Sequence, residues 1–248
     1  FDFTSCEGCQ LTVVDSLQTH PELLDAVEIV RFREAMSEKS DDYAIAFVEG
    51  SCTRPSDEAP LKAIRQQAAL VVALGSCAHL GGINAIRNRA DLQETRTYVY
   101  GDKADWYDTY PARPIEAVIP IDAYIPGCPI DRHEFLRIVK NLLQGRAPQL
   151  PDDPVCVECK LKENVCVYQR GMTCLGPITR AGCDAICPTY GDGCEGCRGL
   201  LDNPNIESMK KVLAEHGLSY DATMAKTTLF LTYQMMQREA AGDGKPVR

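Results

Sequence analysis

Apolar positions in residues 1–150 fall in short runs separated by amphipathic stretches, the signature of strands alternating with helices. Val27-Glu28-Ile29-Val30 reads as a strand, as does Tyr43-Ala44-Ile45-Ala46-Phe47-Val48. Leu70-Val71-Val72-Ala73-Leu74 is continuous enough to be buried on both faces, as strands of a parallel sheet are. Val118 to Ile125, interrupted by Pro120, is a fourth and weaker candidate. The chain opens on Phe1 with no methionine, and Phe1-Asp2-Phe3 reads as the tail of a strand that starts upstream. Between these runs, residues 56–68 predict a helix capped by Ser56 and carrying Leu61, Ala63, Ile64 and Ala68. Residues 131–144 predict another, with Phe135, Leu136, Ile138, Val139, Leu142 and Leu143 on one broad face. Asp131 and Glu134 have capping-box spacing there, and Gly145 can end the helix. The alternation implies an α/β domain with a doubly wound parallel sheet.

Pro148, Pro151 and Pro154 mark the end of that domain. In the module that follows, residues 151–203, the periodicity vanishes, and residues 155–200 have little to build a hydrophobic core, so another source of stability is needed. Metal binding supplies folding free energy directly. Residues 204–248 read as a helical tail, with helices over 206–216 and 221–239. The second carries Leu229, Phe230, Leu231, Tyr233, Met235 and Met236.

Composition changes this picture at one residue type. The chain has 13 cysteines in 248 residues, alongside an ordinary 45% hydrophobic and 25% charged content. Disulfide scaffolds are usually short, secreted and poor in core, whereas this chain is long and its cysteines sit in CxxC phrases. Metal binding in a reducing compartment is therefore expected. A formal charge of −9 argues against nucleic-acid binding, and no run approaches the ~18 apolar residues of a membrane span. No Walker loop, dinucleotide fingerprint or nucleophile-plus-base signature is present, and no catalytic residue is assigned.

Three cysteine phrases follow strands: Cys6-Glu7-Gly8-Cys9, Gly75-Ser76-Cys77 and Pro126-Gly127-Cys128-Pro129. Ligands of open α/β sheets bind at the carboxyl ends of strands, so the four thiolates are expected to converge on one edge. Ordinary buried cysteines and a structural zinc site are the competing readings. Together with Glu49-Gly50-Ser51, these phrases resemble the proximal-cluster motif of [NiFe]-hydrogenase small subunits. The resemblance implies a flavodoxin-like domain that presents a four-iron cluster to a large subunit carrying nickel and iron. The related complex I subunit shares the fold and cluster but typically has adjacent cysteines in its first loop, where this chain has CxxC. The resemblance also places Glu49 beside the proximal cluster, behind its ligands; a surface glutamate is the alternative. Cys52 follows directly, either as a further ligand or redox-sensitive thiol or, the favoured reading, as a small buried hydrophobe.

The eight remaining cysteines read Cys156-x2-Cys159-x6-Cys166-x7-Cys174 and Cys183-x3-Cys187-x6-Cys194-x2-Cys197. Eight thiolates suit two cubanes, or two zinc ions. The phrases Cys156-Val157-Glu158-Cys159-Lys160, Cys174-Leu175-Gly176-Pro177, Cys187-Pro188 and Cys194-Glu195-Gly196-Cys197 resemble the ferredoxin-like module of cytoplasmic group 3 [NiFe]-hydrogenase small subunits. That resemblance favours a sequential partition: Cys156, Cys159, Cys166 and Cys174 on a distal cluster, Cys183, Cys187, Cys194 and Cys197 on a medial one. Two-cluster ferredoxins instead exchange one ligand between motifs, and that arrangement stays open. The four histidines are His20, His79, His133 and His216; only His79 lies near a cysteine phrase, and ordinary packing is its simpler role.

The resemblance thus implies three [4Fe–4S] clusters and a NiFe-bearing large subunit as partner. It further implies an electron partner: a flavin subunit serving NAD(P), an F420-type flavin subunit, or a heterodisulfide-reductase-type protein. It implies a cytoplasmic location. A complex I-like iron–sulfur subunit and a zinc-stabilised scaffold without redox function are the rival expectations.

Overall fold

Three parallel strands lie at the centre of residues 1–148: β1 (Ile45–Glu49), β2 (Leu70–Leu74) and β3 (Ala123–Ile125), in the order β1-β2-β3. This is a computed structural model, and it describes residues 1–241. The chain divides into two compact units, Phe1–Pro148 and Gln149–Arg248. In the first, the register sets Ala46 opposite Val71 and Val48 opposite Ala73, while Val72 faces Ala123. Phe1–Phe3 runs along the free edge of β1: Phe3 N–H donates to the Glu49 carbonyl at 2.9 Å and Glu49 N–H to that of Phe1 at 2.8 Å.

Helices of this unit are α1 (Gly8–Thr19), the single turn α2 (Leu23–Ala26), α3 (Glu58–Gln67), α4 (Gly75–Leu80), α5 (Leu92–Tyr100) and α6 (Arg132–Leu143). One face of the sheet, Ala46, Val48, Val71 and Ala73, packs on Leu61 and Ile64 of α3 and on Ile115 and Ile119. On the other face Phe47 meets Phe135 of α6, ring centroids 5.7 Å apart, and α1 packs against α6. Alternation along β1 thus feeds both layers. The Asp131 carboxylate accepts the Glu134 N–H at 2.8 Å and caps α6, worth about 1 kcal/mol. Leu143 ends outside the buried face, and Leu136 is half-buried.

The second unit contains α7 (Val155–Leu161), the short α8 (Ile186–Thr189), α9 (Ile206–Glu215), α10 (Tyr220–Thr228) and α11 (Thr232–Ala240). Residues 155–200 do have a small core, but cysteine supplies much of it: Val155, Val167, Cys174, Ala185 and Cys194 are buried together, with Cys159, Tyr168, Met172 and Cys183 against them. No helix among the described residues is long and apolar enough to cross a membrane.

Four expectations need correction. Val27–Val30 is not a strand: the Val30 carbonyl takes the Ser40 N–H, and the apolar side chains line a cavity of about 420 Å³ shared with Phe47 and Phe135. Of Val118–Ile125, only Ala123–Ile125 pairs. Ser56 does not cap a helix; a 3-10 turn over Pro55–Asp57 precedes α3, and the buried Asp57 carboxylate accepts the N–H groups of Thr53 and Arg54. Residues 221–239 form two helices, α10 and α11, rather than one. The hydroxyls of Thr227, Thr228 and Thr232 donate to carbonyls four residues back, a contact that weakens and bends helices.

Candidate metal centres

Three strand ends deliver the first group of thiols. Cys6 and Cys9 flank the start of α1, which follows the Phe1–Phe3 edge segment. Cys77 sits in α4, which follows β2 without a break, and Cys128 lies three residues past β3. The loops reach one another: Ser76 N–H donates to the Gly127 carbonyl at 2.7 Å. Gly75 shows how close the approach is. Its φ is +83°, and a Cβ there would stand 2.3 Å from Cys9 Sγ and 3.5 Å from the Gly127 carbonyl. Only glycine leaves room for the Cys9 sulfur.

The four thiols also sense one another. Burial pushes Cys77 up to about 12, with Cys128 and Cys6 adding to it. Burial raises Cys9 further, followed by the Glu49 carboxylate. Cys128 is raised by burial, then by Cys6 and Glu49. Cys9, Cys77 and Cys128 as free thiols therefore resist ionisation, and a cation or cluster that takes them as thiolates relieves that cost.

Glu49 is no surface residue. It is 2% exposed, at the end of β1, and its carboxylate accepts the N–H of Cys9 at 3.1 Å and of Gln10 at 3.4 Å. These are first-turn donors of α1 that the helix cannot satisfy itself. Cys52 stays apart from this group. It is fully buried in the core with Val48, Ile64 and Ile115, its sulfur 2.8 Å from Tyr110 Oη. His79 stacks on Tyr124 with ring centroids 3.7 Å apart.

In the second unit, burial pushes Cys156 up to about 11, with Cys174, Cys159 and Cys166 adding in that order. The sulfurs of Cys174 and Cys156 both lie against Gly176, where an added Cβ would stand 3.2 and 3.5 Å from them, and Cys159 packs against the small core that contains Cys174. Cys174 Sγ accepts backbone N–H groups from Gly176 at 3.3 Å and Cys194 at 3.2 Å, which offset part of its burial. Gly193 makes the Cys194 approach feasible, since a Cβ there would stand 1.9 Å from the Thr173 carbonyl.

The last four are less tightly drawn together. Cys194 is raised by burial and then, against a Gly196 N–H, by Cys197 and Cys174. Cys187 is raised by burial, then by Asp192, Glu195 and Cys174. Cys183 is raised by burial and by Glu158, opposed by the Arg198 guanidinium. Arg198 is 1% exposed and its Nε donates to the carbonyls of Arg180 at 3.2 Å and Ala181 at 2.8 Å, joining the two ends of this segment. All thirteen cysteines are free, so no disulfide forms the framework. Among the described residues no three His, Cys, Asp or Glu side chains close on a point that one metal ion would occupy. A cubane spreads its thiolates more widely, each on its own iron.

Sequence reasoning missed Arg198; Glu158, whose carboxylate accepts the N–H groups of Gly182 and Ala185 beside Cys183; and Lys226, which donates to Glu195 between Cys194 and Cys197. Glu158 lies inside a quoted CxxC phrase, and Arg198 directly follows another, so proximity to the cysteines was the available signal.

The arrangement defines a class: an α/β protein with cysteine-bearing loops at strand ends and a cysteine-rich second unit. Residues 6–142 match the family described as NADH ubiquinone oxidoreductase, 20 Kd subunit. The sulfhydrogenase 2 subunit delta of Pyrococcus furiosus is 37% identical over 218 residues, 87% of this chain and 91% of that protein. A vhu subunit of the F420-non-reducing hydrogenase of Methanocaldococcus jannaschii is 33% identical over 228 residues, 79% of each. Among solved structures, a chain of an NAD+-reducing [NiFe]-hydrogenase in the H2-reduced state superposes with a TM-score of 0.55 at 26% identity, over 60% of this chain and 92% of that one. The chain belongs to the NADH ubiquinone oxidoreductase 20 Kd subunit family, and within it to the electron-transfer small subunits of [NiFe]-hydrogenases.

Proposed function

We propose that this chain relays electrons through three [4Fe–4S] clusters between a large subunit carrying the NiFe site and a second redox partner. Cys6, Cys9, Cys77 and Cys128 hold the proximal cluster; Cys183, Cys187, Cys194 and Cys197 the medial one; Cys156, Cys159, Cys166 and Cys174 the distal one. When bound, the clusters supply one-electron carriers in series. The protein contributes burial that excludes water, N–H donors on Cys174, and Glu49 fixing the start of α1 beside Cys9. The observation that carries this reading is the approach of free thiols within two separate groups, Cys9 against Gly75 two residues before Cys77, and Cys174 with Cys156 against Gly176, in a chain of this family.

On this reading residues 1–150 are a flavodoxin-like domain, 151–203 a ferredoxin-like module and 204–248 a helical tail, of which 242–248 lie outside the described residues. The complex works in the cytoplasm. Its electron partner is of the flavin/NAD(P), F420 or heterodisulfide-reductase type; the relative named F420-non-reducing hydrogenase weighs against the second, and the superposed chain of an NAD+-reducing hydrogenase toward the first. Metal analysis of the purified complex tests the proposal. About twelve irons per copy of this chain, broad visible absorption and nickel in the co-purifying large subunit are expected. About two or three zincs in a colourless sample would identify a scaffold. Iron–sulfur absorption with no nickel in the partner would identify a complex I-like assembly.

A further inference from the structure

We propose that Glu158 is a positioning residue that makes the loop around Cys183 depend on the loop around Cys156 and Cys159. The inference rests on the partition of the eight later cysteines proposed for the medial and distal clusters and goes beyond it.

Glu158 is an inner residue of the phrase Cys156-Val157-Glu158-Cys159, in α7. Its carboxylate does not turn to solvent. Oε1 accepts the N–H of Gly182 at 2.8 Å, and Oε2 accepts that of Ala185 at 3.1 Å. Those two donors flank Cys183 on either side. The backbone between them is unusual: Asp184 and Ala185 both have positive φ, 58° and 46°, without being glycine. Such residues persist only where the surroundings over-determine them. Backbone N–H groups that a turn directs inward form an anion-binding concavity. Here the anion is the protein's own carboxylate, and a bidentate, charge-assisted pair of hydrogen bonds is among the stronger contacts available.

The consequence is directional. Glu158 belongs by sequence to one foursome, yet the strained turn that it holds presents Cys183, a member of the other. Removing the carboxylate leaves Asp184 and Ala185 free to relax toward ordinary φ values, and Cys183 moves with them. Cys156 and Cys159 keep their places on α7, because Val155, at the start of that helix, is bound by its N–H to the Thr179 carbonyl at 2.9 Å and is buried in the small core. Damage should therefore appear in the cluster whose cysteines were not touched.

The test uses the intact complex with Glu158→Ala, Glu158→Gln and, as control, the exposed Lys160→Ala from the same phrase. Iron content and the electron paramagnetic resonance signals of the reduced complex are the readouts. Glu158→Ala should lose about four of about twelve irons and the signal that Cys183→Ser removes, while keeping the one that Cys156→Ser removes. Glu158→Gln retains one acceptor and volume, so that signal should survive with an altered line shape. Lys160→Ala should leave both signals intact. Full iron with an unchanged Cys183-dependent signal in Glu158→Ala, or in Glu158→Gln should the alanine variant not assemble, would overturn the proposal. So would a loss confined to the Cys156-dependent signal. Failure of the underlying partition is separately visible: Cys183→Ser and Cys156→Ser would then abolish the same signal.

Discussion

Gly75→Ala tests the packing of the first foursome at its tightest point. The new methyl carbon would stand 2.3 Å from Cys9 Sγ, far inside the ~3.5–4.0 Å at which such atoms rest. Two costs add. An alanine at φ +83° carries about 1–2 kcal/mol of backbone strain. Overfilling a packed site adds about 1–3 kcal/mol. Gly145→Ala separates them, because Gly145 lies in the same unit at φ +66° with nothing within 4 Å of an added Cβ. It carries the backbone cost alone. The difference between the two variants is then about 1–3 kcal/mol, or about 2–12 °C in Tm for a unit of this size. The clash has two outlets. Either the start of α1 moves, or the Cys9 side chain rotates away. Both take Cys9 out of the foursome, so Gly75→Ala should also lose about four irons, and Gly145→Ala none. Differential scanning calorimetry and iron analysis on both variants give the answer. A Gly75→Ala complex as stable and as iron-rich as Gly145→Ala would refute the placement of Cys9 against Gly75.

Cys128→Ser should damage the proximal cluster and stop hydrogen-dependent dye reduction, whereas Lys211→Ala should do little; full clusters and full dye reduction in Cys128→Ser would contradict the ligand assignment. Glu49→Gln keeps shape and one acceptor but removes a buried negative charge beside Cys9, so the proximal cluster should titrate at a more positive potential; a redox titration showing no shift would sink that account. Burial pushes the Asp122 carboxyl up, but hydrogen bonds from Arg65 at 2.5 Å and the Val71 N–H at 2.7 Å outweigh it and hold it below the usual range. Its stabilisation is thus present above the unfolded value of about 3.9 and is lost as pH falls through the depressed folded value. Asp122→Asn should cost about 1 kcal/mol at pH 7, discounted for exposure, and should flatten the acid limb of urea midpoints measured down to about pH 3; an unaltered limb would contradict it.

Much of this was legible in the amino-acid order, and what was not has physical causes. The run Leu70–Leu74 is β2 to the residue, because five consecutive apolar side chains suit only a strand covered on both faces. Val27–Val30 has comparable composition but does not pair, the edge of β1 being taken by Phe1–Phe3, and pattern alone cannot report a missing partner. The ends of α6 could be read from Asp131, Glu134 and Gly145, since caps are local. The break between α10 and α11 could not, because threonine hydroxyls bend a helix only when buried and turned back on it. At the sites, the cysteines were visible by spacing. Burial of Glu49 was not, because a lone glutamate after an apolar run reads equally well as a solvent-facing strand end.

The inner glutamates of the CxxC phrases show why spacing alone leaves so much open. Cys6-Glu7-Gly8-Cys9, Cys156-Val157-Glu158-Cys159 and Cys194-Glu195-Gly196-Cys197 each contain one. As sequence they are near repeats. In the structure Glu7 pairs with Arg33 at 3.2 Å, Glu158 accepts the backbone N–H groups of Gly182 and Ala185, and Glu195 pairs with Lys226 of α10. A CxxC turn directs its two sulfurs to one side, so the residues between them are free to anchor the turn from behind. A carboxylate suits that task because it accepts from lysine, arginine and backbone N–H alike. What distinguishes the three loops is the anchor each finds: an exposed arginine, a strained backbone turn, a half-buried lysine on a helix. Exposed ion pairs contribute little, so the Glu7 anchor can be lost more cheaply than the other two. The spacing nominates the thiols but not which loop each inner glutamate steadies: Glu158 holds the turn that carries Cys183, while its own two cysteines stay on α7 through Val155.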